Sequence, residues 1–475
     1  MKKLFILLIL ILLFTACGRG GDNEISDEPV QRTLTIMAND NFRGVIEHAR
    51  LLLNASWIER GYNYRLAVNF EGHDMVDWDQ NFEAIQAAQA AREARLRVEL
   101  MSGRGPDLIF NENFYLHQFA QRGHLTDFYN LIENPDDFFM NPLKANEFRG
   151  GLYELPLMFG FYYIGINDNA PDSIRYRFKQ LSYIRASDLL RLYFDFLDNY
   201  PDEFMRLGLW VMDILPYYLN LMNYIDLDTI TVDFTPPSFI ESFRLGNRVR
   251  FNMGLYGSGS GWGSPISWLD IIREDAATNM FRSLNNVLNP ADAFIERDIP
   301  YSHFIPLAND YGSLVVRFGD FRFPSQATVT PRIWMPSAGD TELAWEFIYY
   351  LITAFSKTGD ISRPWGRYSF NIPIMRSMFE SDVRAAVNHI SYLGTRPHFR
   401  DLGFQLETEE EINRALQNAM DSIYRHSNMP MVIRRPHLPT HLIFGNFLEG
   451  PMFEYAWGII TLQEAIVRAQ NAMTL

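Results

Sequence analysis

Aromatic side chains in a glycine-rich loop are the residues of this sequence best suited to binding chemistry. Residues 257–263 read GSGSGWG, which places Trp262 in a loop too rich in glycine for a core helix or strand, and Trp268 follows nearby. An indole face packs well against the apolar C–H face of a sugar ring, whose hydroxyls then bond to polar side chains. We predict that Trp262 contacts a ligand, whereas Trp268 suits a ligand contact or a core position equally.

Polar side chains follow two predicted strands, at residues 34–38 and 107–110. In a parallel sheet, ligands bind beyond the carboxyl ends of the strands. We therefore predict that the polar residues after these two runs contact the ligand. The alternative is that they are solvated turn residues or helix N-caps. The four residues are Asp40, Asn41, Asn111 and Glu112.

The elements that would position these residues alternate between strand and helix. Helices predicted at 44–60 and 81–101 separate strands predicted at 34–38, 64–70 and 107–110. This order predicts a parallel sheet with helices on its faces. Apolar spacing predicts two later helices, and capping boxes at Thr408 and Thr461 mark the start of the second of these and of a third helix. These helices span about 341–356, 408–425 and 461–470.

Catalytic motifs find little support in the sequence. His437 and His441 are four residues apart, but Pro439 breaks the helix on which a zinc-binding pair would need to lie. The triplet at residues 357–359 (KTG) lacks a Ser-x-x-Lys nucleophile. With 57 acidic residues, spacing alone does not exclude a glycosidase. We expect no enzymatic activity, no cofactor and no bound metal.

Length and charge narrow the class of protein. The chain has 475 residues, 47% of them apolar and 21% charged, which favours two or three globular domains. Its formal net charge of −15 argues against nucleic-acid binding, because phosphate backbones repel an acidic body. A single cysteine excludes an intramolecular disulfide and any multi-cysteine zinc site.

That cysteine follows an apparent export signal. Lys2 and Lys3 precede an unbroken apolar run at residues 4–14, too short to span a bilayer as a helix. Residues 14–17 (FTAC) resemble a bacterial lipobox, in which the cysteine receives a diacylglycerol through a thioether. We predict a signal peptide at 1–16, lipidation of Cys17 and a tether at 17–31. The alternative is an ordinary secretory signal with an incidental cysteine.

Seven short motifs lie in order along the chain. The strongest is SGRGPD at residues 102–107, which lies between a predicted helix and an apolar strand. The others are 123–127 (GHLTD), 151–156 (GLYELP), 161–167 (FYYIGIN), 251–254 (FNMG), 342–347 (ELAWEF) and 458–465 (GIITLQEA). Together they resemble the sugar-binding group of family 1 extracellular solute-binding proteins of ABC importers. The resemblance extends from about residue 33 to residue 475 and is weakest over 168–249.

The resemblance implies an α/β fold of the periplasmic-binding-protein type II kind. Such proteins have two chain-discontinuous lobes, a hinge and an interlobe cleft that closes on ligand. We expect lobe 1 at 32–153 plus 314–363 and lobe 2 at 154–313 plus 364–475, with hinges near Gly150–Gly151, Pro156 and 364–373. In the motif at 102–107, Asp107 is expected to shape the turn into the strand.

The resemblance also implies a monomer that captures a small solute, expected to be a saccharide, for ABC permease subunits. The protein would lie on the extracytoplasmic face of the cell membrane, attached through its lipid alone. A peptide or other solute, and a secreted glycan hydrolase, remain as alternatives. Aromatic residues near the expected crossovers are further ligand-contact candidates, with core packing as the alternative. They are Phe159, Tyr162, Trp365 and Tyr368.

Overall fold

The computed structural model describes most of the predicted elements of the body. The described residues are 28–73, 82–111, 116–201, 205, 224–226, 231–252, 280–284, 301–318, 321–322, 328–329, 332–357, 372–381, 408–433, 451, 454–455 and 458–473. Within them, no helix combines the length and hydropathy that crossing a membrane requires.

Helices and strands alternate along much of the chain. The α-helices include α1 (Arg43–Glu59), α2 (Phe82–Ser102), α3 (His117–Ala120), α4 (Met140–Ala145), α5 (Asp172–Lys179), α6 (Ala186–Asn199), α7 (Pro237–Asn252), α8 (Thr341–Lys357), α9 (Glu409–Ser427) and α10 (Leu462–Met473). Short 3-10 helices span Asp40–Phe42, Phe128–Asn130 and Pro135–Asp137. The strands are β1 (Val30–Asn39), β2 (Tyr64–His73), β3 (Leu108–Asn111), β4 (Glu154–Pro156), β5 (Met158–Phe161), β6 (Tyr163–Asn167), β7 (Ile184–Arg185), β8 (Ile225–Asp226), β9 (Thr231–Val232), β10 (Phe281–Leu284), β11 (Tyr301–Ala308), β12 (Leu314–Phe318), β13 (Phe321–Arg322), β14 (Thr328–Val329), β15 (Arg332–Trp334), β16 (Ile372–Pro373) and β17 (Met431–Ile433).

The first sheet has the strand order β2-β1-β3-β15-β4. Strands β1, β2 and β3 are parallel, so the predicted strand–helix–strand–helix–strand order is confirmed. Strand β15 comes from much later in the chain and pairs antiparallel with both β3 and β4. The return of a late strand into this sheet makes the unit discontinuous in sequence.

Helices cover both faces of the first sheet, because successive strand residues point to opposite sides. On one face, α1 buries Val45, Ala49 and Leu53 at helical spacing and packs beside α8. The indole Nε1 of Trp57 donates to Oε1 of Glu346 at 3.1 Å and ties these two helices together. On the other face, α2 packs against the alternate strand residues.

The second sheet has the order β10-β6-β11-β12-β5-β16, with β7 pairing β11 and β17 pairing β12. Apart from the parallel pairs β11–β7 and β12–β17, the pairings within it are antiparallel. Helices α5, α6, α7 and α10 pack on one face. The other face joins the core of the first sheet, so one apolar cluster runs through both sheets. The α10 capping box is present: Thr461 N–H donates to Glu464 Oε2 at 2.7 Å, and Glu464 N–H to Thr461 Oγ1 at 3.2 Å.

Two strands next to the expected lobe boundaries pair with the sheet of the other expected lobe. Strand β4, expected in lobe 2, pairs with β15 of the first sheet. Strand β12, expected in lobe 1, pairs with β5 and β11 of the second sheet. The chain therefore passes between the sheets at Leu157, again between Phe318 and Arg332, and a third time between Trp334 and Ile372. Most of the hinge expected at 364–373 lies outside the described residues. The expected hinge glycines form a tight turn before β4, with φ of 79° at Gly150.

Candidate functional site

The carboxyl ends of β1, β2 and β3 meet at one edge of the first sheet. Asn39 ends β1 opposite His73 at the end of β2, and Asn111 ends β3. Arg332 begins the antiparallel strand β15 directly opposite Asn111. Polar residues therefore lie on four neighbouring strands at this edge, which we call the carboxyl edge.

Asp40 lies at the carboxyl edge, in the 3-10 helix that leads from β1 into α1. Phe42 fixes this turn, because its ring packs 5.3 Å from that of Phe110 in β3. The Oδ1 atom of Asp40 accepts a hydrogen bond from Nη2 of Arg43 at 3.0 Å, and the carboxylate is partly exposed. The predicted strand-end position of Asp40 is confirmed, as are those of Asn41 and Asn111. Ligand contact by these residues stays a prediction.

An ion pair that sequence analysis does not single out lies beside the carboxyl edge. Nη1 of Arg332 is 3.1 Å from Oε2 of Glu154, whose side chain is only 1% exposed. The Nδ2 atom of Asn146 donates to the backbone carbonyl of Glu154 at 2.7 Å and holds the strand in place. Burial raises the pKa of the Glu154 carboxyl, while the charge of Arg332 acts in the opposite direction.

The guanidinium of Arg332 has hydrogen-bonding capacity left over. Its side chain is 21% exposed, so it lies between the core and the surface. Its buried Nε–H has no hydrogen-bond partner among the described residues. A guanidinium has five N–H donors in a fixed planar arrangement, and only the donor on Nη1 is engaged by Glu154 here. Arg332 can therefore donate further hydrogen bonds at this edge after a small change in its position.

The sheet face behind this ion pair is apolar. Trp334 lies two residues after Arg332, on the same face of the sheet, and packs with Met37 and Ile109 of the neighbouring strands. The face thus changes from apolar to polar where the strands end. Asp40 offers a carboxylate acceptor and Arg332 offers donors, a combination that binds molecules rich in hydroxyl groups.

The two aromatic candidates in the described part of the chain lie in the core. Phe159 is fully buried and packs edge-on against Phe139 and Phe161, with ring centroids 5.3 and 5.8 Å away. Tyr162 is buried on the opposite side of the second sheet. Both positions favour a role in core packing over contact with a ligand. Trp345 in α8 is partly buried and packs against the core, with its ring 6.0 Å from that of Phe128.

Asp107 has the structural role expected of it. Its Oδ2 atom accepts the backbone N–H of Thr35 at 2.7 Å, and its Oδ1 atom lies 3.4 Å from the backbone N of Asp340. The carboxylate thus joins the start of β3 to β1 and to the beginning of α8. A side chain at Gly339 would place its Cβ 2.4 Å from Oδ1 of Asp107, so this close approach requires glycine.

Several predicted residues lie outside the described part of the chain, and their roles stay predictions. The backbone positions of Asn41 and Asn111 are described, but not their side chains. The residues outside the described ranges are Cys17, Glu112, Trp262, Trp268, Trp365 and Tyr368. Among the described residues, no group of three His, Cys, Asp or Glu side chains is placed to hold a metal ion.

Comparison with solved structures identifies the architecture. An extracellular solute-binding protein family 1 member from Alicyclobacillus acidocaldarius matches with a TM-score of 0.54 and 12% identity, covering 94% of this chain and 98% of its own. The chain has the fold of the extracellular solute-binding proteins. A candidate oligosaccharide periplasmic-binding protein from Synechococcus sp. MITs9220 matches this solute-binding fold with a TM-score of 0.53 and 13% identity, covering 93% and 98%.

The same fold comparison also returns a chain described as a de novo designed cysteine esterase. It has a TM-score of 0.52 and 12% identity and covers 94% of this chain and 97% of its own. No family model and no curated protein matches the sequence. At these identities the likeness establishes the solute-binding-protein fold alone.

Proposed function

We propose that this chain is a solute-binding protein, held on the extracytoplasmic face of the membrane by a lipid on Cys17. It captures a small solute, a saccharide, and passes it to an ABC permease without chemical reaction. The observation that carries the proposal is the solute-binding fold over nearly the whole body of the chain. The ordered family motifs and the position of the single cysteine in the sequence support the same proposal.

The carboxyl edge supports a saccharide as the solute. Sugars carry many hydroxyls that both donate and accept hydrogen bonds, and Asp40 and Arg332 supply one acceptor and several donors. The charge of Arg332 is already balanced by Glu154 at 3.1 Å. A balanced guanidinium still donates hydrogen bonds but gains little from a second carboxylate. The site therefore suits a neutral sugar better than a uronic acid.

A hinge between the two sheets would give this site its closure. We propose that each sheet is the centre of one lobe, and that the chain crosses at Leu157, between Phe318 and Arg332, and between Trp334 and Ile372. The first crossing follows β4, which carries Glu154, and the second leads into β15, which carries Arg332. Closure would then act directly on the ion pair at the carboxyl edge and exclude water from the bound solute.

A thermal-shift screen of the purified protein against neutral mono- and oligosaccharides, uronic acids and a peptide pool tests the proposal. A ligand at 100 times its Kd adds about 2.7 kcal/mol to the free energy of unfolding, which a melting curve resolves. We expect neutral sugars to raise the melting temperature and to be recovered unchanged. Stabilisation by peptides alone would overturn the saccharide assignment. Hydrolysis of a stabilising glycan or ester would overturn the non-catalytic role.

A further inference from the structure

Four exposed apolar residues cluster where the chain enters the first sheet. Val30, Ile58, Tyr62 and Tyr64 have exposed fractions between 38% and 73%. We call these four residues the amino-edge patch. Large apolar side chains that are exposed together, rather than singly, indicate an interaction surface.

Short contacts hold the patch together as one surface. Val30 pairs in register with Tyr64, and the rings of Tyr62 and Tyr64 stack with centroids 5.7 Å apart. The backbone N–H of Tyr62 donates to the carbonyl of Trp57 at 2.8 Å, which fixes Tyr62 at the end of α1, the helix whose last turn carries Ile58. The patch is therefore a fixed part of the body.

Arginines with balanced charges surround the two tyrosine rings. The guanidinium of Arg60 lies 5.1 Å from the centre of the Tyr62 ring, and that of Arg32 lies 5.8 Å from the Tyr64 ring. Arg32 pairs with Asp340 at 2.7 Å, and Arg60 pairs with Glu346. Tyrosine and arginine side chains, which combine an apolar body with a polar tip, are typical of surfaces at the headgroup level of a bilayer.

The patch lies next to the point where the predicted lipid-bearing segment joins the body. The backbone N–H of Val30 donates to the carbonyl of Asn63 at 2.8 Å, and Asn63 Nδ2 donates to the carbonyl of Glu28 at 3.4 Å. Cys17 precedes Glu28 by 28 − 17 = 11 residues. Eleven extended residues reach at most about 40 Å, so a lipid on Cys17 would hold this surface close to the membrane.

The amino-edge patch and the carboxyl edge lie at opposite ends of β1. This strand has ten residues, and at about 3.3 Å per residue the two ends are roughly 30 Å apart. A body resting on the patch would therefore hold Asp40 and Arg332 away from the bilayer.

We infer that the amino-edge patch rests on the lipid bilayer and turns the carboxyl edge towards the medium while the protein captures solute. This inference rests on the proposed lipid anchor. The layer that the patch contacts is the headgroup region of the membrane. To deliver its solute, the protein would have to turn over on its tether.

Cysteine labelling can test this on the full lipidated protein. Cys17 is the only cysteine and its thiol is consumed by the lipid, so Ile58→Cys provides a unique free thiol for a fluorophore. Tyr311→Cys, at an exposed position between β11 and β12, is the matched control. Both labelled proteins are reconstituted into phosphatidylcholine vesicles with brominated acyl chains, which quench fluorophores that contact the bilayer.

We expect loss of fluorescence from the label at residue 58 and none from the label at residue 311. Adding Tyr62→Ser to Ile58→Cys should restore part of the fluorescence, because it weakens the contact of the patch with the bilayer. If the tether alone kept the label near the membrane, this substitution would have no effect. Equal fluorescence from both labels on protein that floats with the vesicles would overturn the inference and leave the anchor intact. Protein that does not float with vesicles would contradict the anchor itself, and the inference with it.

Discussion

Arg332 and Glu154 form an ion pair across two adjacent strands, with Nη1 and Oε2 3.1 Å apart. The carboxylate is almost completely buried, whereas the guanidinium reaches the carboxyl edge. Removing two charges from water is costly, and a hydrophobic pair of similar size is often as stable. Stability alone therefore does not explain this pair, and we propose that it holds the guanidinium where it can donate to a solute.

Replacing Arg332 should destabilise the protein in a pH-dependent way. Burial already raises the pKa of Glu154 above its ordinary value of 4.5, and Arg332→Met removes the charge that opposes this rise. An acid with a raised pKa in the folded state loses stability as pH rises. The deficit of Arg332→Met should therefore be small below pH 4.5 and grow towards roughly 3–5 kcal/mol at higher pH.

Urea unfolding of wild type and Arg332→Met at several pH values measures this deficit. Arg414→Met is the matched control, because Arg414 pairs with Glu410 on the exposed face of α9. Its loss should stay below about 1 kcal/mol. Adding Glu154→Leu to Arg332→Met should recover much of the stability. A deficit that does not change with pH would refute the assigned role of Glu154.

His426 should make the folded protein sensitive to acid. Its Nδ1 atom lies 3.0 Å from the hydroxyl of Tyr163, and its ring packs edge-on against Phe161. Burial, with a smaller contribution from Arg425, lowers the pKa of His426 from 6.5 to about 4. The unfolded chain therefore binds the extra proton first, and stability falls as pH is lowered through this window.

His426→Gln removes this titration, so the variant should lose less stability than wild type between pH 6.5 and pH 4. At neutral pH it should instead be less stable by about 1 kcal/mol, the scale of one hydrogen bond. Chemical denaturation across this pH range tests both statements. The same acid slope in both proteins would show that another group is responsible.

The sequence predicts the first sheet well, because its signals are local. Period-3.6 spacing in α1 and α8 marks one buried face of each helix, and short apolar runs mark the buried strands β1 and β3. The ion pair could not be predicted in the same way. Glu154 and Arg332 are 178 residues apart, and only the pairing of β4 with β15 brings them together. The burial of Phe159 and Tyr162 could not be predicted from the sequence for a related reason. Both faces of their sheet are covered, so an alternation of apolar and polar residues does not mark an exposed side.

Asp107→Ala should lower stability without changing ligand affinity. The substitution leaves the backbone N–H of Thr35 without its acceptor and loosens the start of α8, at a cost of about 1.5–3 kcal/mol. Asp107 precedes β3, whereas the carboxyl edge lies at the other end of that strand. Asp107→Asn should be milder, because an amide oxygen can still accept the bond. A loss of affinity at unchanged melting temperature would place Asp107 in the site instead.

Asp40→Ala should have the opposite effect, lowering affinity but not stability. The carboxylate of Asp40 is partly exposed at the carboxyl edge, and a charged hydrogen bond to a sugar hydroxyl contributes about 1.5–3 kcal/mol. Asp172→Ala is the matched control, since Asp172 also pairs with an arginine three residues later. Calorimetric titration with a sugar from the screen should show weaker binding by Asp40→Ala and unchanged binding by Asp172→Ala. Equal affinities would remove Asp40 from the site.

Trp262→Ala is the sharpest test of the stacking prediction. Residues 257–263 read GSGSGWG, and we predict that a run so rich in glycine leaves the indole face of Trp262 available to a sugar ring. Losing that face should reduce affinity by roughly 1–3 kcal/mol and leave the melting temperature of the free protein nearly unchanged. Trp345→Ala provides the contrast, because Trp345 is partly buried against the ring of Phe128 and its loss should cost about 1.5–3 kcal/mol of stability. If Trp262→Ala instead behaves like Trp345→Ala, with a lowered melting temperature and unchanged affinity, Trp262 belongs to the core and the sugar must be held by other residues.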